Sequence, residues 1–597
     1  MKYVIFAKRF KMEDKSIIIM GDKQFPASEY QENVFDFLER GCGNLVINAS
    51  AGAAKTTTLV NCMRFIPKDK KVMFVSFNKH IAEEINRRLT NPNATARTCS
   101  SVGFEICREN GHGLGVVDND KYTTYIRENI NSITKYKETA SLSHLRITYM
   151  RNIRQLVDLC RYTLCFTLRE IKNLADKYGI APVRDEFEVC RKILIWGKSN
   201  TEVIDQTDMV WLPNVLNLTT NRVLKDFIFI DEAQDITIAQ QELIMKCAKR
   251  GARIIAVGDK NQQINVWCGS DEEAIERFKD MPGTIEASLP VCYRCGKKII
   301  ELANKISDGR MIAPPNAVEG EIIENVKIGE IRNGDMVLSR NTAPLIELQQ
   351  KLLRINKKVY IQGYKEIRDD FLDIIKQNTK SQKIDVACVT DNGLFPQLYS
   401  TLLDNIDRLM SQVGMDEDEA LSHHSVLYLY DNIKALEVLA MGVVSVDELV
   451  EKINVIFNGS KDDSILLSTV HRAKGLEADR VFIYQNSLLL NNPLARKDWE
   501  IKTERNLLYV AYTRPKLLLG FLEEENRFKK NPFASQSNLR TDISRIRAIL
   551  GREEATEIHQ FTVPQVEVKT ESCVAKKSDT PKDSKKGGLK FANLMKS

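Results

Sequence analysis

The chain has 597 residues, 43% hydrophobic and 28% charged, the balance of a soluble globular protein and not of a disordered or membrane-embedded one. Its length allows about four domains at roughly 150 residues each, and no apolar run approaches the roughly 18 to 20 residues that span a bilayer. A net charge of +6 is mild for this size, so any nucleic-acid binding has to be argued from local sites. Thirteen scattered cysteines point to reduced thiols in an intracellular compartment, cytoplasmic or nuclear. The Cys292–Cys295 pair lacks a second pair nearby and is read as ordinary thiols, not a metal site.

Residues 1–24 read as a small β-rich cap, with Tyr3–Ala7 as a first strand and no secretory signal. Ser28 is placed to cap a helix that carries Val34, Phe35, Phe37 and Leu38 on one stripe. Gln31, on the same helix, offers a donor and an acceptor together and so suits an adenine edge.

The apolar run Leu45-Val46-Ile47 leads into Asn48-Ala49-Ser50-Ala51-Gly52-Ala53-Ala54-Lys55-Thr56-Thr57 and then a helix, which is the order of a P-loop. Backbone amides from Gly52 through Thr57 would cradle phosphates, Lys55 would reach the β/γ-phosphates of ATP, and the Thr56 hydroxyl would bind Mg²⁺. The literal pattern fails at both glycines, replaced by Ala49 and Ala54. Next, Lys71–Lys79 reads as a buried parallel strand ending at Phe77-Asn78, and a second strand end falls at Thr98–Gly103. Residues 104–222 turn helical and charge-rich, as in an inserted subdomain.

The strand Phe227–Ile230 delivers Asp231-Glu232. Such an acidic turn is common, but beside a P-loop Asp231 can hold Mg²⁺ and Glu232 can polarise the attacking water. A further strand, Arg253–Val257, brings Gln262 to a position that senses a γ-phosphate. Trp267 in the same loop is either core or a stacking platform for a base. A second α/β unit runs over 289–364 and 462–535, interrupted by a helical insertion at 365–461. Residues 536–597 form an extension that becomes a basic, disordered tail from about 562, ending in a short amphipathic stretch that could bind a protein partner.

The ordered set of motifs resembles superfamily 1 helicases of the UvrD/Rep-like group, and most closely the motor portion of F-box-containing DNA helicases. The residues that carry it are Gln31, Gly52–Thr56, Phe77–Lys79, Asp231–Gln234, Gly258-Asp259 with Gln262, Tyr293-Arg294, Thr469–His471 with Lys474–Glu477, and Tyr509–Ala511 with Thr513-Arg514. The resemblance implies an α/β fold of two RecA-like parallel-sheet domains, each with a helical insertion, and ATP in the cleft between them. It assigns 25–103 and 223–288 to the first domain, and it makes Arg294 and Arg514 arginine fingers from the second. Catalysis would then rest on Lys55, Glu232, Gln262, Arg294 and Arg514. Glu477 joins the nucleotide-binding set, and Phe77, Asn78, Ser101, Trp267, Thr469 and His471 would contact single-stranded DNA.

The implied activity is an ATP-dependent DNA helicase moving 3′ to 5′, because Lys474-Gly475-Leu476-Glu477 is similar to the sequence of that polarity group. Replication, recombination and repair are the implied settings, with single strands and duplex junctions as partners and no membrane. Ala54 stands where the family normally has Gly, which leaves a second reading: a nucleotide-switched single-strand-binding or remodelling protein with weak ATPase. An RNA helicase is the third, since stacking and phosphate contacts discriminate poorly between nucleic acids.

Overall fold

The computed structural model describes residues 14–76, 79–133, 143–180, 185–266, 269–379, 393–413, 415–457, 462–490, 495 and 497–523, with scattered residues beyond to Leu550. The strand read at Tyr3–Ala7 and the C-terminal tail therefore lie outside the described residues. β1 (Ile17–Met20) and β2 (Lys23–Pro26) form an antiparallel hairpin. Ser28 caps the Glu29–Arg40 helix, accepting from the Gln31 amide while the Gln31 side chain returns to the Ser28 backbone, a complete capping box.

The first large sheet comprises β3 (Asn44–Ala49), β4 (Val72–Ser76), β5 (Ala94–Thr98), β6 (Lys225–Ile230), β7 (Ala248–Gly258) and β8 (Thr284–Leu289). Its spatial order is β5-β4-β6-β7-β3-β8, and every pairing is parallel. Alternation assigns the faces. Leu45, Ile47, Phe74, Phe229, Ile255 and Val257 pack on one side, while Val46, Met73, Val75, Ile228, Ile230 and Ile254 pack on the other. Covered on both faces, these central strands read as continuous apolar runs.

The second sheet comprises β9 (Glu321–Val326), β10 (Met336–Ser339), β11 (Val359–Ile361), β12 (Ile465–Thr469), β13 (Ala478–Ile483) and β14 (Pro515–Leu522). It is also wholly parallel, in the order β11-β12-β10-β13-β14-β9. Among the described residues between β5 and β6 there are six helices over Cys99–Val215, most of which enclose their own core around Tyr122, Ile153, Leu156, Ile171, Val189 and Ile193. A second run of helices, Tyr364–Ile456, separates β11 from β12. The protein is thus α/β, with two parallel-sheet modules and a helical segment inserted in each.

Candidate active site between the two sheets

In a parallel sheet, chemistry collects where the strands end. β6, β7 and β3 are consecutive neighbours, so the turns after Ile230, Gly258 and Ala49 emerge side by side. The P-loop leaves β3 with the Ser50 amide donating to Leu289 O at 3.0 Å. Gly52 adopts φ +70°, and a Cβ there would fall 2.7 Å from Arg294 Cβ and 2.9 Å from Cys292 Sγ. The loop closes through Ala54, which takes the left-handed conformation (φ +56°, ψ +38°) as the residue before the Lys55–Cys62 helix. The Ala54 carbonyl accepts from the Thr58 amide at 2.9 Å and the Thr58 hydroxyl at 3.0 Å, which ties the turn down.

Two contacts join this loop to the acidic turn. Lys55 Nζ donates to Glu232 Oε2 at 2.8 Å, and the Thr56 hydroxyl donates to the Asp231 carboxylate. Glu232 is itself left-handed (φ +52°), so its side chain turns toward Lys55 as the chain enters a short 3₁₀ turn. Burial alone would raise the Glu232 carboxyl. Lys55 and Lys474 outweigh it, and the group falls to about 2. Burial and then the neighbouring Glu232 charge push Asp231 up to about 6. Adjacent carboxylates are thereby driven apart, Glu232 firmly ionised and Asp231 harder to ionise than an ordinary aspartate. The Thr56 hydroxyl and Asp231 carboxylate are hard oxygen donors in direct contact, the donor type that Mg²⁺ takes.

Behind them, Gln234 donates from Nε2 to Glu232 Oε2 at 2.7 Å and accepts the Asp259 amide at 3.0 Å. Asp259 accepts from Gln262 Nε2 at 2.6 Å, which orients the Gln262 amide across the site.

The second sheet supplies the facing wall. Arg514, 1% exposed, donates from Nε to Val510 O at 2.9 Å and from Nη2 to Gln262 Oε1 at 3.3 Å. Burial and then the neighbouring Arg294 lower its guanidinium to about 10, still fully charged at neutral pH. Arg294 donates to Glu477 Oε2 at 2.7 Å and to Thr513 O at 3.3 Å, and Glu477 also pairs with Lys516. Lys474 reaches across to the Asp235 carboxylate and to Gln262 O at 2.6 Å. Asn506 donates to Lys260 O at 3.1 Å and Gln263 O at 2.8 Å, and the Tyr509 hydroxyl accepts the Ala51 amide at 3.1 Å. Finally, the Tyr293 amide donates to Gly52 O at 2.9 Å.

Lys55, Thr56, Asp231, Glu232, Gln262 and Arg514 thus share one polar network, with Gly52 and Arg294 packed against it. Gln31 is buried at its edge: Nε2 donates to Thr58 Oγ1 at 2.9 Å, and Oε1 accepts from the Tyr293 hydroxyl at 3.3 Å. Thr57 faces away, its hydroxyl accepting from Arg88 at 3.1 Å. Ser101 stands in the first turn of the Cys99–Glu109 helix, and Thr469 ends β12, followed closely by His471. Phe77, Asn78 and Trp267 lie outside the described residues. The motifs that carry the resemblance contain Gln234, Asp259, Tyr293, Lys474 and Tyr509 without giving them a site role, and Asn506 lies three residues before Tyr509. Their signal was adjacency to motif residues. The partners of Lys474, Asn506, Tyr509 and Tyr293, on the other module, were invisible.

Two parallel-sheet modules, with the P-loop on one and the buried Arg514 of the other hydrogen-bonded to Gln262 beside it, define a two-module P-loop NTPase. Residues 30–282 match the UvrD/REP helicase N-terminal domain, and residues 464–522 match the UvrD-like helicase C-terminal domain. The chain belongs to the UvrD/Rep-like superfamily 1 DNA helicases, enzymes that couple ATP hydrolysis to DNA unwinding. Among relatives, it is 22% identical to a probable DNA helicase II homolog of Mycoplasma pneumoniae, over 81% of this chain and 82% of that one. It is 25% identical to F-box DNA helicase 1 of Gallus gallus over 79% of this chain and 46% of that protein. The ATP-dependent DNA helicase PcrA of Bacillus subtilis is 24% identical over 49% of this chain and 41% of PcrA. Among the described residues, no helix is long and apolar enough to cross a membrane.

Proposed function

We propose that this chain is an ATP-driven motor that travels 3′ to 5′ on single-stranded DNA and separates duplex ahead of it, in replication, recombination or repair. The observation that carries the reading is the Arg514–Gln262 hydrogen bond, which joins a cation of the second module to a polar side chain beside the P-loop of the first. In the proposed cycle, Lys55 exchanges Glu232 for the β/γ-phosphates. Glu232, freed yet ionised, orients and polarises the water for in-line attack. Thr56 and Asp231 would hold Mg²⁺, which when bound neutralises phosphate charge. Arg294 and Arg514 stabilise the charge that develops on the transferred group. Gly52, Ala53, Ala54 and Thr57 belong to the phosphate loop and its helix start, while Gln31, beside the half-exposed Tyr293 ring, reads the adenine edge. Glu477 meets the nucleotide through its partner Arg294.

Hydrolysis would dissolve the γ-phosphate link between the modules, so the cleft opens and closes once per ATP. Phe77, Asn78, Ser101, Trp267, Thr469 and His471 are proposed to grip the strand during that cycle by stacking and backbone contacts. The domain limits drawn from the sequence, and a protein partner for the C-terminal stretch, belong to the same proposal. Forked duplexes with a single tail test polarity: unwinding from a 3′ tail alone is expected, and unwinding only from a 5′ tail would overturn it.

The left-handed Ala54 favours a second reading, a slow nucleotide switch that remodels DNA without processive unwinding. ATP turnover that single-stranded DNA fails to stimulate, together with nucleotide-dependent strand binding, would select it.

A further inference from the structure

The Tyr509 ring is buried in the core of the second module, with one polar atom directed out of that core. Its hydroxyl accepts the backbone N–H of Ala51 in the P-loop at 3.1 Å. Ala51 is fully buried, so that amide has no water to turn to. Because Ala51 precedes the Gly52–Thr56 amides that form the phosphate cradle, this contact leaves them free. The backbone of the same tyrosine anchors the arginine finger. Tyr509 O accepts the Thr513 hydroxyl at 2.8 Å and the Thr513 amide at 3.1 Å, and Thr513 Oγ1 in turn accepts from Arg514 Nη2 at 3.2 Å. One turn earlier on the Asp498–Tyr512 helix, Asn506 holds the carbonyls of Lys260 and Gln263, the residues that bracket Gln262.

We propose that Tyr509 is a positioning residue: its hydroxyl docks the Asp498–Tyr512 helix on the P-loop so that Arg514 arrives at Gln262 in register with the phosphates. This rests on the ATP-hydrolysing reading above. Asn506 acts in the same way on the other flank of Gln262. The pair makes correct placement of the arginine conditional on the P-loop backbone itself, and not only on the nucleotide.

Tyr509→Phe keeps the ring and removes only the hydroxyl; because the buried Ala51 amide then lacks an acceptor, the full chain should melt somewhat below the wild type while staying folded at the assay temperature. The expected result is a fall of about tenfold in the kcat of single-strand-stimulated ATP turnover, with the KM for ATP within about twofold. Combined with Arg514→Lys, Tyr509→Phe should cost nothing further, because its effect runs through that arginine. An unchanged kcat, a loss confined to KM, or losses that multiply in the double variant would each overturn the role. Should Tyr509→Phe fold poorly, Asn506→Leu is read in its place for the same pattern, and a wild-type kcat in it overturns the proposal. A wild-type chain that turns over no ATP would sink the motor reading and this inference together. Turnover in the wild type that Tyr509→Phe matches would sink the inference alone.

Discussion

Arg514 and Gln262 meet across the cleft at 3.3 Å, and each is fixed from behind, Arg514 by Val510 O and Gln262 by Asp259. A γ-phosphate held by Lys55 would sit beside both. Removing either end should therefore cost turnover without greatly changing nucleotide affinity, and the losses in Gln262→Ala and Arg514→Ala should combine to less than their product. A double-variant cycle on ATP turnover measures this coupling.

The Lys55–Glu232 pair separates binding from hydrolysis. Lys55→Ala leaves the Glu232 carboxylate without its closest cation and deprives the phosphates of theirs, so nucleotide affinity should drop about tenfold or more. Glu232→Gln keeps the site's shape and should retain binding while turnover falls about 10²- to 10⁴-fold. Titration with a fluorescent nucleotide alongside steady-state turnover distinguishes the two.

Ala54 stores strain that its neighbours hold in place. A left-handed alanine costs about 1–2 kcal/mol, of which Gly would recover all but the 0.5–1 kcal/mol, roughly, that its own backbone freedom costs. Ala54→Gly should therefore stabilise the fold slightly and preserve or raise turnover, as read by urea unfolding and ATPase rate. A large loss of activity would mean that the methyl itself supports the loop. Gly52→Ala should do the opposite, because its Cβ would meet Arg294 and Cys292 inside contact distance.

Acid should weaken the fold through His471. Burial, then the positive charges of Arg340 and Lys474, lower its imidazole from 6.5 to about 3. Below pH 6.5 the unfolded chain takes up the proton first, so the stability contributed by the neutral ring is lost as pH falls from there toward 3. Melting curves between pH 7 and pH 5 should drop more steeply for the wild type than for His471→Gln.

The chemistry at single strand ends was legible in the sequence because it is local. Leu45–Ile47 before Lys55-Thr56, and Phe227–Ile230 before Asp231-Glu232, announce both strand and site, since central strands buried on both faces must be apolar throughout. Two of the edge strands, β8 and β9, were not. β8 carries Glu286 and Ser288, and β9 opens and nearly closes on polar residues, because each has one open edge and part of a face in water. Pairings that depend on how two sheets face each other, Tyr509 with Ala51 and Lys474 with Asp235, leave no periodic trace in either segment. The missing glycine at Ala54 made the P-loop look doubtful, yet the backbone takes the left-handed turn and lets Thr58 hold it.

The most direct measurement is ATP turnover by the full chain, with and without single-stranded DNA, for the wild type and Arg514→Ala. DNA should stimulate the wild type, and the variant should lose about 10³-fold or more of the stimulated rate while still binding nucleotide. A wild type that DNA does not stimulate, or an Arg514→Ala variant that matches it, would contradict a motor whose active site is completed across the cleft.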